Sequence, residues 1–150
     1  MNLQKAMQRH KDLTITKPKV DREVICPYCQ RQAELVTGQE LFPGNKPIAK
    51  RLFWLCARCD AYVGTHQRSI SAAPLGTLAN ASLRKERTKA HKIFDQLWQK
   101  GAPLMTRNGA YHFMAYTMGI PKAAAHIALF NEQQCQEISR IVEHYLNGVN

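Results

Sequence analysis

Two cysteine pairs determine the fold expected for this sequence. VICPYCQ (residues 24–30) contains the first pair, and RLFWLCARCD (residues 51–60) contains the second. Zinc prefers tetrahedral sulfur coordination, and a C-x-x-C turn can direct two thiolates at one metal. Two such turns joined by a strand excursion predict a zinc ribbon. The predicted ligands of one structural zinc are Cys26, Cys29, Cys56 and Cys59.

Other chemistries use the same residue types. A thioredoxin-like C-x-x-C requires a βαβ context and a single pair, and neither is present. Iron in a rubredoxin-type or iron–sulfur site uses the same four-thiolate geometry and stays open as an alternative. The fifth cysteine, Cys135, falls on the apolar face of a predicted helix, where we expect a buried small hydrophobe. Because four thiolates fill a tetrahedral zinc, we expect no Lewis-acid chemistry at the metal.

The 150 residues divide into three predicted parts. Residues 1–22 form a polar basic arm, residues 23–70 the zinc ribbon, and residues 71–150 a helical region packed on the ribbon. Short strands are predicted within the ribbon at ELV, RLFWLC and AYVGTH. The expected fold is therefore α+β, with a small four-cysteine zinc ribbon packed on a C-terminal bundle of about four helices.

The helical period begins near Thr77. The predicted helices cover residues 77–100, 106–118, 121–130 and 131–148. The buried stripe of the first is predicted to be Leu83, Ala90, Phe94 and Leu97. Asn131 is the predicted N-cap of the last helix. We expect the ribbon to dock on the first helix through Phe53 and Leu55.

The chain is strongly basic, with 21 Lys and Arg against 11 Asp and Glu and a formal net charge of +10. Four thiolates around one Zn²⁺ would lower this to about +8. The excess lies in the first hundred residues, which indicates a polyanionic partner, DNA or RNA. The candidate nucleic-acid contacts are Lys50, Arg51, Arg58, Arg84, Lys85, Arg87, Lys89 and Lys92.

One polar strip of the first helix has two interpretations. Its members are Arg84, Arg87, His91 and Asp95. It is either a phosphate-binding strip or a network that docks the helix on the ribbon.

A hydrolytic site built from His66, His91, Asp60 and Asp95 is a weaker alternative, as in a metal-dependent nuclease. Phage-type His-metal nucleases carry an Asp-His pair between their zinc knuckles. Residues 30–55 contain no histidine. We therefore expect a protein that is not an enzyme.

Several motifs together resemble the zinc-finger-containing domain family of bacterial and phage proteins. They are CPYC, CARCDAYVG followed by His66, PLGTLA at residues 74–79, and the pattern from Leu83 to Trp98. The resemblance covers about residues 24–146. It implies a prokaryotic, phage or mobile-element origin and zinc at the four cysteines, but no mechanism. Thr65 and Ala128 depart from the pattern, in which Cys and Gly are common.

These observations lead us to expect a zinc-ribbon protein that has a nucleic-acid-binding or regulatory function and is not an enzyme. The alternative is a small phage-type adaptor or inhibitor that binds a host protein through its C-terminal helices. Those helices carry Tyr111, Phe113, Met114 and Tyr116. No apolar run is long enough for a membrane span, and the polar N-terminal stretch does not resemble a signal peptide. The expected location is the cytoplasm of a bacterial or phage-infected cell.

Overall fold

The computed structural model of the protein describes residues 15–99 and 103–148. A three-stranded antiparallel sheet has the order β1-β2-β3. Its strands are β1 (Glu34–Thr37), β2 (Leu52–Cys56) and β3 (Ala61–Gly64). The helices are α1 (Gly38–Leu41), α2 (Ala81–Asp95), α3 (Arg107–Met118) and α4 (Glu132–Gly148). The α+β prediction and the three predicted strands are confirmed.

Alternation along β2 gives the sheet two different faces. Trp54 and Cys56 point to one face, where they form a small ribbon core with Ala61 and Val63. The indole N–H of Trp54 donates to the carbonyl of Ala72 at 2.8 Å. Phe53 and Leu55, which precede and follow Trp54 in the strand, point to the opposite face. The ribbon thus has a core of its own, built around Trp54.

The stretch that follows β3 belongs to the ribbon. Thr65 pairs with Pro74 in an isolated bridge, and the N–H of Leu75 donates to the carbonyl of Gly64 at 2.9 Å. Leu78 is buried in the ribbon core. The ribbon therefore extends past the boundary predicted at residue 70, because this segment covers the open edge of β3.

Helix α2 begins later and ends earlier than predicted. Ala79 is still extended, since its N–H and carbonyl pair with Tyr62 at 3.0 and 3.1 Å. Asn80 then caps the helix by accepting from the N–H of Leu83 at 3.0 Å. The C-terminal end at Asp95 passes into tight turns in which the N–H of Leu97 reaches back only three residues. All four residues predicted for its buried stripe are buried.

The C-terminal elements follow the capping signals. Thr106 caps α3 by accepting from the N–H of Gly109 at 3.0 Å, and Gly119 ends it at a φ of 66°. Asn131 and Gln134 exchange side-chain and backbone hydrogen bonds of 2.9 and 3.0 Å at the start of α4, as the capping box predicts. The prediction of a helix over residues 121–130 is wrong. This segment contains two 3₁₀ turns, at Lys122–Ala124 and Ile127–Leu129.

The helices enclose a second, separate core. Leu83, Phe94, Met114 and Ile138 are among its buried members. Phe53 and Leu55 are absent from it, so the predicted docking contact is wrong. Their face of the sheet is opposite to Trp54 and turns away from the ribbon core.

Backbone and polar contacts join the two cores. The bridge of Tyr62 with Ala79 leads directly into α2. The hydroxyl of Tyr28, inside the first knuckle, accepts from the N–H of Asn80 at 3.1 Å.

The part of the predicted arm that the structure describes is attached to the ribbon. Arg22 donates from Nε to the carbonyl of Ser71 at 3.1 Å, and Lys17 pairs with Glu40 at 3.1 Å. Residues 1–14 of the arm lie outside the described residues. No helix within the described ranges has the length and hydrophobicity that a membrane crossing requires.

Candidate metal centre

The first knuckle is a tight turn stabilised by backbone hydrogen bonds. The N–H of Cys26 donates to the carbonyl of Arg31 at 2.8 Å, and the N–H of Gln30 donates to the carbonyl of Cys26 at 2.9 Å. Gln30 adopts a φ of 61°, the left-handed region. This reversal directs the side chains of Cys26 and Cys29 to the same side of the turn.

The second knuckle repeats this design at the β2–β3 connection. Cys56 ends β2, a 3₁₀ turn covers Ala57–Cys59, and β3 begins at Ala61. Asp60 has a φ of 48°, so in both knuckles the residue after the second cysteine is left-handed. Aspartate tolerates this region better than most residues because its side chain bonds locally. The two knuckles are thus equivalent halves of one site.

The four sulfur atoms form a compact cluster. All four Sγ atoms lie within 4.8 Å of one another, and Sγ of Cys29 is 3.6 Å from Sγ of Cys56. With Zn–S bonds of about 2.3 Å, tetrahedral coordination places sulfurs about 3.8 Å apart. The cluster therefore has the dimensions of a four-thiolate metal site. Among residues 15–99 and 103–148 it is the one group of three or more His, Cys, Asp or Glu side chains suited to a metal ion.

The thiols titrate unequally without a metal. The backbone N–H of Arg31 lowers the pKa of Cys29 to about 7. Desolvation raises the pKa of Cys59 to about 12, and desolvation also raises the pKa of Cys56. One sulfur is thus prepared as a thiolate, and at least two others require a cation to lose their protons. Zinc would supply that charge.

Cys135 is separate from this site. It is fully buried in the helical core on α4, and desolvation raises its pKa to about 11. The predicted role as a small core hydrophobe agrees with this position. None of the five cysteines forms a disulfide, and all five lie in the part of the chain that the structure describes.

Arg87 is a buried residue whose hydrogen bonds stabilise the fold. Its side chain donates to the carbonyl of Phe130 from Nε and Nη2 at 3.1 and 3.0 Å, and to the carbonyl and hydroxyl of Thr77 at 2.7 and 2.6 Å. The residue is 9% exposed. With its donors occupied in this way, Arg87 is removed from the candidate nucleic-acid contacts.

Arg84 has a docking role, which is one of the two interpretations of the polar strip. It donates from Nη1 to the carbonyls of Asp60 and Ala79 at 2.6 and 2.8 Å. Its guanidinium lies 4.0 Å from the ring centroid of Tyr62. His91 is exposed and forms no hydrogen bond with Asp95, although the structure describes both. The docking interaction is therefore made by Arg84 with Asp60.

The remaining predicted contacts lie on the surface in different places. Lys85, Lys89 and Lys92 are exposed along α2. Arg58 is exposed between the two cysteines of the second knuckle. Lys50 and Arg51 are exposed just before β2, where they border a groove of about 600 Å³.

Sequence reasoning missed this groove. Phe53 is paired with Gly64 in the antiparallel register, so the start of β2 and the end of β3 meet at one end of the sheet. Lys50 and Arg51 therefore line the same groove as His66. The signal was present in the sequence as basic residues before one predicted strand and a histidine after the next. It required the register to bring them together.

Comparison with known proteins agrees with the geometry. The sequence profile of a zinc-finger-containing domain matches residues 22–145, more than four fifths of the chain. No curated protein and no solved structure gives a significant match. The matched range contains both knuckles, and the clustered cysteines fit one structural zinc ion. The chain belongs to the zinc-finger-containing domain family.

Proposed function

We propose that this protein is a non-enzymatic nucleic-acid-binding protein of the cytoplasm of a bacterial or phage-infected cell, and that its zinc ribbon presents the binding surface. The observation that carries the proposal is the groove beside β2 and β3. Lys50, Arg51 and His66 line it, and none of its lining residues is Asp or Glu. A phosphate chain laid along it would meet cations and no opposing carboxylate.

The groove is preorganised by its neighbours. With the side-chain amide of Gln67 turned so that its oxygen faces Arg51, this oxygen accepts from the guanidinium and orients that group without neutralising it. A volume of about 600 Å³ lies within the range of sites for nucleotide-sized ligands. Two backbone N–H groups of the groove are already bonded, since that of Thr65 donates to the carbonyl of Leu52 at 3.2 Å and that of His66 to the carbonyl of Ala73 at 2.9 Å. The charged donors of the groove are the side chains of Lys50 and Arg51.

An aromatic surface continues from the groove across the sheet. Phe53 lines the groove and is half-buried, and its ring packs edge-on against Phe42 and Tyr62 at 5.5 and 6.2 Å. The guanidinium of Arg84, which is paired with Asp60, lies over the ring of Tyr62. Phe53, beside the groove cations Lys50 and Arg51, and the adjoining Phe42 are therefore the rings of this surface that Arg84 does not cover. Aromatic faces beside basic side chains are the usual means of binding unpaired bases, so we expect single strands to be preferred.

The structural zinc supports this role indirectly. Four thiolates leave the metal no position for water, so its effect is to hold the ribbon in shape. The net charge of +10, about +8 with zinc and its thiolates counted, would attract any polyanion over a long range. The groove would then determine where the strand lies.

Fluorescence anisotropy with labelled single-stranded DNA and RNA tests the proposal. The variant Lys50→Gln/Arg51→Gln removes two groove charges. The variant Lys89→Gln/Lys92→Gln removes two exposed charges from α2, the other predicted contact surface, and so shows whether the loss is specific to the groove. We expect the groove variant to bind at least about tenfold more weakly, and to lower the slope of log K against log salt by about 1.5.

Three outcomes would count against the proposal. Wild-type protein that does not bind at low salt would contradict nucleic-acid binding altogether. Affinity that is unchanged between about 50 and 200 mM salt would contradict phosphate contacts. Equal losses in the two variants would show attraction by net charge alone and would contradict the groove.

A second candidate function is protein binding through the C-terminal helices. Tyr116 on α3 is 88% exposed, and a shallow groove of about 480 Å³ lies between α3 and α4. Phe113, Ile141 and Tyr145 line this groove. A nuclease-treated pull-down that recovers one stoichiometric protein, and loses it with Tyr145→Ser, would favour this candidate. Capture that depends on nucleic acid would favour the first.

A further inference from the structure

A second basic pocket lies in the helical part, apart from the zinc ribbon. It has a volume of about 400 Å³ and lies between the first turn of α3 and the 3₁₀ segment that follows the helix. Its lining residues are Arg107, Asn108, Tyr111, Lys122 and His126. None is acidic.

Lys122 is held in place by neutral partners. Its Nζ donates to Oδ1 of Asn108 at 2.9 Å and lies 3.0 Å from Nε2 of His112. Both contacts orient the ammonium group, and neither balances its charge when the imidazole is neutral. A strongly hydrated ammonium with three donors keeps capacity for a further acceptor.

Arg107 is held by aromatic rings. Its guanidinium carbon lies 4.9 Å from the ring centroid of Tyr111 and 5.4 Å from that of Trp98. Nη2 contacts the hydroxyl of Tyr111 at 3.4 Å. Stacking of this kind restrains the plane of the guanidinium, and the edge donors other than the one on Tyr111 stay available.

These two cations have no carboxylate partner. Within the described ranges, the ion pairs are Lys17 with Glu40 and Arg84 with Asp60, both in the ribbon or at its junction with α2. The pocket therefore combines two oriented positive groups with no internal counter-charge. An anion with several oxygen acceptors would fit it best.

We propose that this pocket binds a phosphomonoester group. Such a group carries a charge near −2 at neutral pH and three acceptor oxygens, which matches a fork from Arg107 and a point charge from Lys122. The rings of Tyr111 and His126, 5.5 Å apart, border the same space and would contact an attached organic group. This site is independent of the groove beside β2, which lies in the ribbon.

Isothermal titration with inorganic phosphate, adenosine monophosphate and adenosine tests the proposal at constant ionic strength. We expect phosphate and adenosine monophosphate to bind saturably and adenosine not to bind. Similar affinities for the first two would mean that the pocket recognises phosphate alone. Tighter binding of the nucleotide would mean that the rings contribute.

Variants locate the site. Arg107 and Lys122 are exposed, so Arg107→Gln and Lys122→Gln are expected to fold, which circular dichroism and zinc content would verify. Each is expected to weaken binding at least about tenfold through the loss of a charged donor. Arg140→Gln removes the same charge from an exposed position on α4 and should change affinity less than about twofold. Lys50→Gln/Arg51→Gln should retain phosphate binding, whatever its effect on nucleic acid.

Two results would overturn the proposal. One is wild-type protein that binds neither phosphate nor adenosine monophosphate at millimolar concentrations. The other is equal weakening in Lys122→Gln and Arg140→Gln, which would indicate general attraction by the protein's charge.

Discussion

Arg84 joins the second zinc knuckle to the first turn of α2 through Asp60. Its Nη1 donates to the backbone carbonyl of Asp60 at 2.6 Å, and Nη2 lies 3.2 Å from Oδ2 of the same residue. Asp60 directly follows the metal ligand Cys59. The loop that binds zinc therefore also fixes the position of the helical part.

Replacing Arg84 with Met is expected to lower the free energy of unfolding by about 1–2 kcal/mol, because two backbone carbonyls lose a charged donor. Asp60→Asn removes only the charge of a side chain that is 70% exposed, so it should cost about 0.5 kcal/mol or less. Urea unfolding of the zinc-saturated protein measures both. Equal losses would show that the ion pair, and not the carbonyl contacts, holds the junction.

Arg87→Met is expected to be the most destabilising of these substitutions, at about 3 kcal/mol. It leaves the buried carbonyl of Phe130 and the carbonyl of Thr77 without their donor. The control is Lys89→Met, one exposed position on the same helix, which should stay within about 0.5 kcal/mol of wild type. Thermal unfolding compares the two. A small effect of Arg87→Met on stability with a large loss of nucleic-acid affinity would contradict the assignment of Arg87 to the fold.

Removal of zinc is expected to unfold the ribbon and leave the helices largely intact, because the two cores are separate. In a Trp98→Phe variant the remaining fluorescence reports Trp54, which is buried beside the cysteines. A chelator should shift this emission to the red while the far-UV circular dichroism of α2–α4 changes little. Simultaneous loss of both signals would contradict separate cores.

Zinc affinity is expected to fall steeply as pH falls. Above pH 7 the thiol of Cys29, with its pKa of about 7, is largely ionised before the metal arrives. Cys56 and Cys59 have raised pKa values, about 12 for Cys59, and are still protonated. Zinc must displace at least two protons from them, so the apparent dissociation constant should rise at least about hundredfold per pH unit lost. Competition with a chromophoric chelator between about pH 7 and 9 measures the slope, and tenfold or less per unit would contradict the metal-free pKa values.

Local patterns in the sequence predicted the elements whose causes are local. The cysteine spacing identified all four clustered thiols, and Asn131 identified the start of α4. The stripe containing Phe94 identified the buried face of α2. Metal geometry, capping and helical period each operate within a few residues, so a single sequence contains them.

Relationships between distant segments were beyond these patterns. Arg87 has the same charge and spacing as its exposed neighbours, and only the approach of Phe130 makes it a buried donor. Phe53 and Trp54 are adjacent aromatic residues, and only the sheet decides which of them enters the ribbon core. The groove at Lys50 required the register of β2 with β3. Each of these depends on tertiary contacts that periodicity does not specify.

Sulfur coordination of the metal is the most direct test of the account, which rests on a closed structural zinc site. X-ray absorption at the zinc edge should show four sulfur neighbours at about 2.3 Å and no lighter ligand. A nitrogen or oxygen neighbour at about 2.0 Å would mean an incomplete thiolate set and an open position on the metal. That result would contradict a purely structural zinc.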